Sequence, residues 1–262
     1  MKALKAKSAA LLKKEAAPNV QAIVVGTRGS RKSGASIFTW GKLNVFAILA
    51  ASEEHGLGAQ KYHPESNVTA VTYDRCLETG DILPPKEALN QFVALVQMAI
   101  ADKDIDVIVA DGLTALDKTL QNLPEVKNDT NGWNAIAKVE KHYLTILDLV
   151  QQVKDSGKHC VFTLASRGFS TGGVNYEVPE MFGKSGVSKF AGEFGDILFV
   201  KLDENGDAIF DFSAVGKKVS TKADKKTTET VEMKPRVKGL DITQADSAPA
   251  NFEKLLAAKG NK

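Results

Sequence analysis

Between Val20 and Arg167 short apolar runs alternate with helical or polar stretches, and this alternation constrains the fold more than any other feature. "NVQAIVVGT" is an apolar run ending in glycine, as a buried strand feeding a tight turn does. "LNVFAILAAS", "NVTAVTYD", "IDVIVADGLTAL" and "KHCVFTLASR" are further runs of strand length. "SGASIFTWG" reads as a short helix. "PPKEALNQFVALVQMAIADK" is a clear one, with Pro85 near its start and Leu89, Phe92, Val93, Val96 and Ile100 on one face. "WNAIAKVEKHYLTILDLVQQVKDSG" is the longest, with Gly157 as its stop. "EEHGLGAQKYHPES" and "QNLPEVKNDTNG" read as polar loops. Apolar strands separated by helices predict parallel βαβ units covered on both faces.

The texture changes after Arg167. "GFSTGGVNYEVPEMFGKSGVSKF" reads as a glycine-rich loop, "GDILFVKLDENGDAIFDFSAV" as a hairpin and "TTETVEMKPRVKGL" as one more strand. The expected class is α/β: a mostly parallel central sheet flanked by helices, with a C-terminal antiparallel hairpin extension. The expected division is a basic arm at 1–18, a core at 19–240 and a tail with a short helix at 241–262.

With 262 residues, 43% apolar and 25% charged, the composition is that of an ordinary globular protein. No apolar run approaches the ~18 residues that span a bilayer, so no membrane partner is expected. Cys76 and Cys160 are scattered thiols, which fits a reducing cytoplasm. Net charge is only +2, but lysines cluster at Lys2, Lys5, Lys7, Lys13 and Lys14 and again at Lys217, Lys218, Lys222, Lys225 and Lys226. Such runs are either solvated surface or a footprint for a phosphate backbone.

"IVVGTRGSRKSGAS" carries the chemistry. The phosphate-loop pattern is G-x-x-x-x-G-K-[ST], and Gly26, Lys32 and Ser33 fall at its places while Arg31 replaces the second glycine. Such a loop works because backbone N–H groups converge on phosphates, the lysine reaches the β and γ phosphates and the hydroxyl holds magnesium. The nucleotide-contact candidates are therefore Gly26, Thr27, Arg28, Gly29, Ser30, Arg31, Lys32, Ser33 and Gly34. If position 31 takes a positive φ, a non-glycine there costs about 1–2 kcal/mol, which predicts binding with slow turnover. "DVIVAD" is an apolar strand ending on Asp111, the kind of carboxylate that sits beside magnesium in P-loop enzymes.

Together "VVGTRGSRKS", "AILAASEEHG", "IDVIVADGLTAL", "GKHCVFTLASR" and "VEMKPRVKGL", in that order, resemble a RecA-type P-loop ATPase. More narrowly, the chain is similar to compact phage-type RecA-core ATPases of the single-strand annealing and recombination group. The resemblance spans roughly residues 20 to 240 and implies a RecA-like P-loop NTPase core using ATP and Mg²⁺. It implies that Lys32 contacts phosphate, and that Ser33 and Asp111 hold magnesium. Glu53 or Glu54 would activate the attacking water, Glu53 being nearer the strand end. Ser166 and Arg167 stand where relatives carry a polar sensor, without the usual Gln or His. Gly112 replaces a small hydroxyl residue. Lys234 and Arg236 match a K-x-R pair that reaches a neighbouring subunit's nucleotide, so self-association into a ring or filament is implied.

Single-stranded DNA is the expected partner. Candidate contacts lie in "LQNLPEVKNDTNGW" and in the glycine-rich stretch, with Arg167, Lys184 and Lys189 as cations and Phe169, Tyr176 and Phe182 as stacking rings. The expected activity is ATP hydrolysis in phage-type recombination or replication, in the cytoplasm of an infected bacterial host. The altered loop, the substituted sensor and Gly112 motivate an alternative, a catalytically weakened nucleotide-binding scaffold that self-assembles or regulates a partner. A small-molecule kinase ranks third, because no arginine-rich lid segment follows the core.

Overall fold

The computed structural model of the chain describes residues 19–171, 174–181, 192–214, 216–220, 229–242 and 245–260. The basic arm, Phe182, Lys184, Lys189, Lys222, Lys225 and Lys226 lie outside the described residues. The sheet is built on β1 (Gln21–Gly26), β2 (Asn44–Leu49), β3 (Asn67–Thr72), β4 (Val107–Asp111), the first half of β5 (His159–Thr171) and β7 (Asp196–Leu202). These run parallel in the spatial order β3-β2-β4-β5-β1-β7. β8 (Ala208–Asp211) and β11 (Ser247–Pro249) extend that row antiparallel. The strand that ends in the glycine loop and the strand that ends on Asp111 are therefore not neighbours, because β5 lies between them.

The side chains of each strand alternate between two apolar layers, as the pleat requires. Ile23 and Val25 of β1, Phe46 and Ile48 of β2 and Ile108 and Ala110 of β4 face one layer. It is closed by α2 (Pro85–Ala101), α3 (Leu113–Gln121) and α5 (Gly132–Asp155). Ala22 and Val24, Val45 and Ala47, and Val107 and Val109 face the other layer, closed by α1 (Lys32–Phe38) and α6 (Phe252–Gly260). Both faces are covered, which is why these strands read as unbroken apolar runs. Gly157 ends α5 at φ 80°, a conformation only glycine adopts without strain.

The parallel sheet, the flanking helices and the C-terminal hairpin agree with the expectation from sequence. Other segments differ, among them "LTAL" after Gly112, which opens α3 instead of continuing the strand. "GFSTGG" is not a loop: β5 continues to Thr171 and pairs antiparallel with β6 (Val174–Pro179). At Ala165 β5 is level with Gly26, where β1 ends. Beyond that point its backbone groups need a new partner, and β6 supplies it. "EEHGLGAQKY" belongs to a 3-10 helix, Ala51–Tyr62, none of whose residues is fully buried. Its polar and small residues carry no apolar periodicity, so only its seat against α1 reveals it. A short α4 (Pro124–Lys127) interrupts the loop before α5.

A further difference lies at the C-terminus. Residues expected as a tail carry β11, which pairs with β8, and α6, whose Phe252 and Leu255 are part of the core. Phe252 stacks on Trp40 with ring centroids 4.4 Å apart, and its N–H donates to Thr39 Oγ1 at 2.9 Å. Lys259 Nζ meets Asp196 Oδ2 at 2.7 Å with both side chains buried. β9 (Gly216–Ser220) and β10 (Glu229–Met233) form an antiparallel pair that joins β6 at Glu177. Among the described residues no helix is long and apolar enough to cross a membrane.

Candidate functional site

β1 delivers the chain at Gly26 into a five-residue turn, and α1 begins at Lys32. Gly26 has no room for a side chain: a Cβ there would stand 2.5 Å from Ser30 Oγ and 2.7 Å from the Val200 carbonyl oxygen. Gly29 takes φ 82°. Arg31 takes φ 61° and ψ 20°, and among the described residues no other non-glycine has a positive φ. The position that the phosphate-loop pattern reserves for glycine thus demands a glycine-like backbone, and an arginine supplies it under strain. Its side chain turns outward to Asp207 in the β7–β8 turn, 4.0 Å away and largely exposed, a contact of little energetic weight.

Lys32 and Ser33 are buried at the start of α1. Lys32 has no ion-pair partner among the described residues. Beside them Asp111 closes β4, only 2% exposed. Thr163 of β5, the strand between the two halves of the site, donates its hydroxyl to Asp111 Oδ1 at 2.5 Å and accepts the Gly112 N–H at 2.8 Å. Asp111 Oδ2 is buried without a hydrogen-bond partner. Burial raises the Asp111 pKa, and the negative charge of Glu53 adds to that. The hydroxyls of Thr163 and Ser33 and the charge of Lys32 oppose it.

The 3-10 helix closes the site from above α1. A Cβ on Gly56 would come within 2.8 Å of Ser33 Cβ and 3.7 Å of Asp111 Oδ2, and Ala59 packs on Gly34. Glu53 lies against Gly112, where a Cβ would meet Glu53 Cγ at 3.0 Å, whereas Glu54 is exposed. Gly112 also needs its φ of 102°, which explains glycine in place of a hydroxyl residue.

The structure therefore brings together the loop Gly26–Gly34, Lys32, Ser33, Asp111 and Glu53. It leaves the other candidates apart. Arg236 forms a bridge with Ile197, which is level with Ile23, so it lies about 10 Å along the sheet from the end of β1. Its guanidinium donates to the Phe194 carbonyl, and both Arg236 and Lys234 are exposed. Ser166 is buried and donates its hydroxyl to Glu177 of β6. Arg167 is exposed on the β5 extension opposite Val178, and the Phe169 backbone pairs with Tyr176.

Sequence reasoning missed Gly56 and Thr163. The signal for Thr163 was a lone hydroxyl in an otherwise apolar strand, and for Gly56 a glycine in "EEHGLG". Among the described residues no group of three or more His, Cys, Asp or Glu could hold a metal by itself. Neither protein-family models nor curated proteins match this chain.

Proposed function

We propose that the chain is a P-loop nucleoside-triphosphatase of the RecA-like class. More particularly, we infer an ATP-dependent protein that acts on single-stranded DNA and completes its site by self-association. One observation carries the nucleotide part: buried Lys32 and buried Ser33 open a helix beside Asp111, whose Oδ2 is buried and has no hydrogen-bond partner among the described residues. Asp111 is the charge facing Lys32, and a buried carboxylate oxygen without a hydrogen-bond partner is costly unless a ligand answers it.

Those residues fit Mg²⁺–ATP. Mg²⁺ is commonly held by one or two protein groups together with nucleotide phosphates, so no all-protein metal cage is needed. When bound, Mg²⁺ neutralises charge on the phosphate oxygens. Ser33 and Asp111 would hold it, and Thr163 already orients Asp111 through its other oxygen. Lys32 would meet the phosphates. Glu53 is the better candidate of the acid pair to orient water and take its proton, since Glu54 points to solvent.

The test is calorimetry with Mg²⁺–ATP alongside steady-state phosphate release, wild type against Lys32→Ala. Binding and phosphate release that both vanish in Lys32→Ala support the reading; no binding at millimolar nucleotide in folded wild type removes it. The DNA partner rests on the family resemblance and on exposed Arg167 at the projecting β5–β6 hairpin. Salt-dependent single-strand affinity checks it. The strained Arg31 favours a second reading, a nucleotide-holding scaffold with little turnover. It predicts normal binding with phosphate release equal in wild type and Lys32→Ala.

A further inference from the structure

Glu53 sits on the first turn of a 3-10 helix whose N-terminal amides have no partner within the helix. The preceding residue, Ala50, has no side chain that could cap them. The cap comes from another strand. Asp74, two residues beyond the end of β3, accepts the Ala51 N–H on Oδ1 at 2.8 Å. The Glu53 N–H then closes the turn on the Ala50 carbonyl at 2.8 Å. The Tyr73 N–H holds the two strand ends together through the Leu49 carbonyl at 2.9 Å. Tyr73 itself is buried, with its hydroxyl facing Thr119 of α3 and the charges of Asp74 and Glu53.

We propose that Asp74 is a positioning residue of the phosphate site: by capping Ala51 it sets the turn that holds Glu53 against Gly112, beside Asp111. The inference rests on the ATPase reading above. Asp74 touches neither nucleotide nor metal in this role and acts only through the backbone that carries Glu53. Runs of 3-10 helix longer than three or four residues are uncommon, so a twelve-residue one depends on such external ties. A carboxylate displaced by about 1 Å loses up to about a hundredfold in rate.

The experiment measures kcat, KM and ATP affinity for the full chain with Asp74→Ala and Asp74→Asn, in wild-type and Glu53→Gln backgrounds. Hydrogen exchange at Ala51 and Glu53 is followed in parallel. Asp74→Ala is expected to lower kcat by about tenfold or more while KM and ATP affinity stay within about twofold. Asp74→Asn keeps an acceptor oxygen and is expected to recover most of the rate. In the Glu53→Gln background Asp74→Ala is expected to cost nothing further, because one role cannot be lost twice. Ala51 exchange is expected to accelerate in Asp74→Ala alone.

The proposal is overturned by an unchanged kcat in Asp74→Ala, by a full additional loss in the Glu53→Gln background, or by Asp74→Asn failing as badly as Asp74→Ala. A folded wild type that neither binds nor hydrolyses ATP overturns the parent reading instead. The exchange data then show separately whether the cap exists.

Discussion

At the scale of single residues, Arg31 and Asp111 hold opposite kinds of tension. Arg31 occupies left-handed backbone at φ 61° for the sake of the loop's path. Glycine removes about 1–2 kcal/mol of that strain and returns roughly 0.4–1 kcal/mol to the unfolded chain as entropy. Arg31→Gly is therefore expected to raise the thermal midpoint by about 1–4 °C in calorimetry. A fall would mean that the arginine makes a contact of greater worth than Asp207. Asp111 carries its tension as charge. Burial raises its folded pKa, so ionisation costs stability as pH rises above the ordinary carboxylate value, and that cost is absent below it. Asp111→Asn removes the buried charge while keeping an acceptor for Thr163. The expected outcome is a higher thermal midpoint for the nucleotide-free protein at pH 7, with Mg²⁺-dependent ATP affinity down at least about tenfold. Loss of both together would mean that Asp111 serves the fold first.

At the scale of elements, β5 does three separate things. Its start is buried at the sheet's amino edge, its middle supplies Thr163 to the site, and its end leaves the sheet for the β5–β6 hairpin. The start carries a pH dependence. His159 Nδ1 accepts the Val20 N–H at 3.0 Å, the ring lies against Trp40, and Lys259 and Asp106 are the charged groups that face it. Burial lowers its pKa from 6.5 to about 4, with help from the Lys259 charge and against that of Asp106. A histidine with a lowered folded pKa contributes stability above its unfolded value and loses it as pH falls to the folded one. Wild type is therefore expected to lose about 3 kcal/mol through this group between pH 6.5 and about 4 in urea titrations. His159→Gln should flatten that slope. An identical slope in both proteins would assign the titration elsewhere.

At the scale of the whole molecule, the site within one chain contains Lys32, Ser33, Asp111 and Glu53 but not Lys234 or Arg236. If the K-x-R pair serves a neighbouring subunit, phosphate release per molecule should rise with protein concentration. Mixing inactive Lys32→Ala with inactive Arg236→Ala should then restore roughly a quarter of the wild-type rate, the share of interfaces with one intact loop facing one intact arginine. No recovery on mixing, with both variants folded, would confine catalysis to single chains.

Much of this was legible in the chain itself. The apolar runs determined the parallel sheet with helices on both faces, because strands buried on two sides have no polar face to show. The glycines at 26 and 29 marked the turn between β1 and α1, because a close approach at Gly26 leaves no room for a side chain and Gly29 takes a positive φ. Only the tertiary structure decided that Arg31 bears a glycine's backbone, that Glu53 rather than Glu54 turns inward, that Thr163 and Gly56 lie against Asp111 and Ser33, and that Asp74 caps Ala51. It also decided that the last helix is core, since Phe252 and Lys259 meet Trp40 and Asp196 from far along the chain. Periodicity and motif spacing record what a segment requires of its own backbone. They do not record which distant strand end or helix supplies the missing hydrogen bond, charge or van der Waals contact.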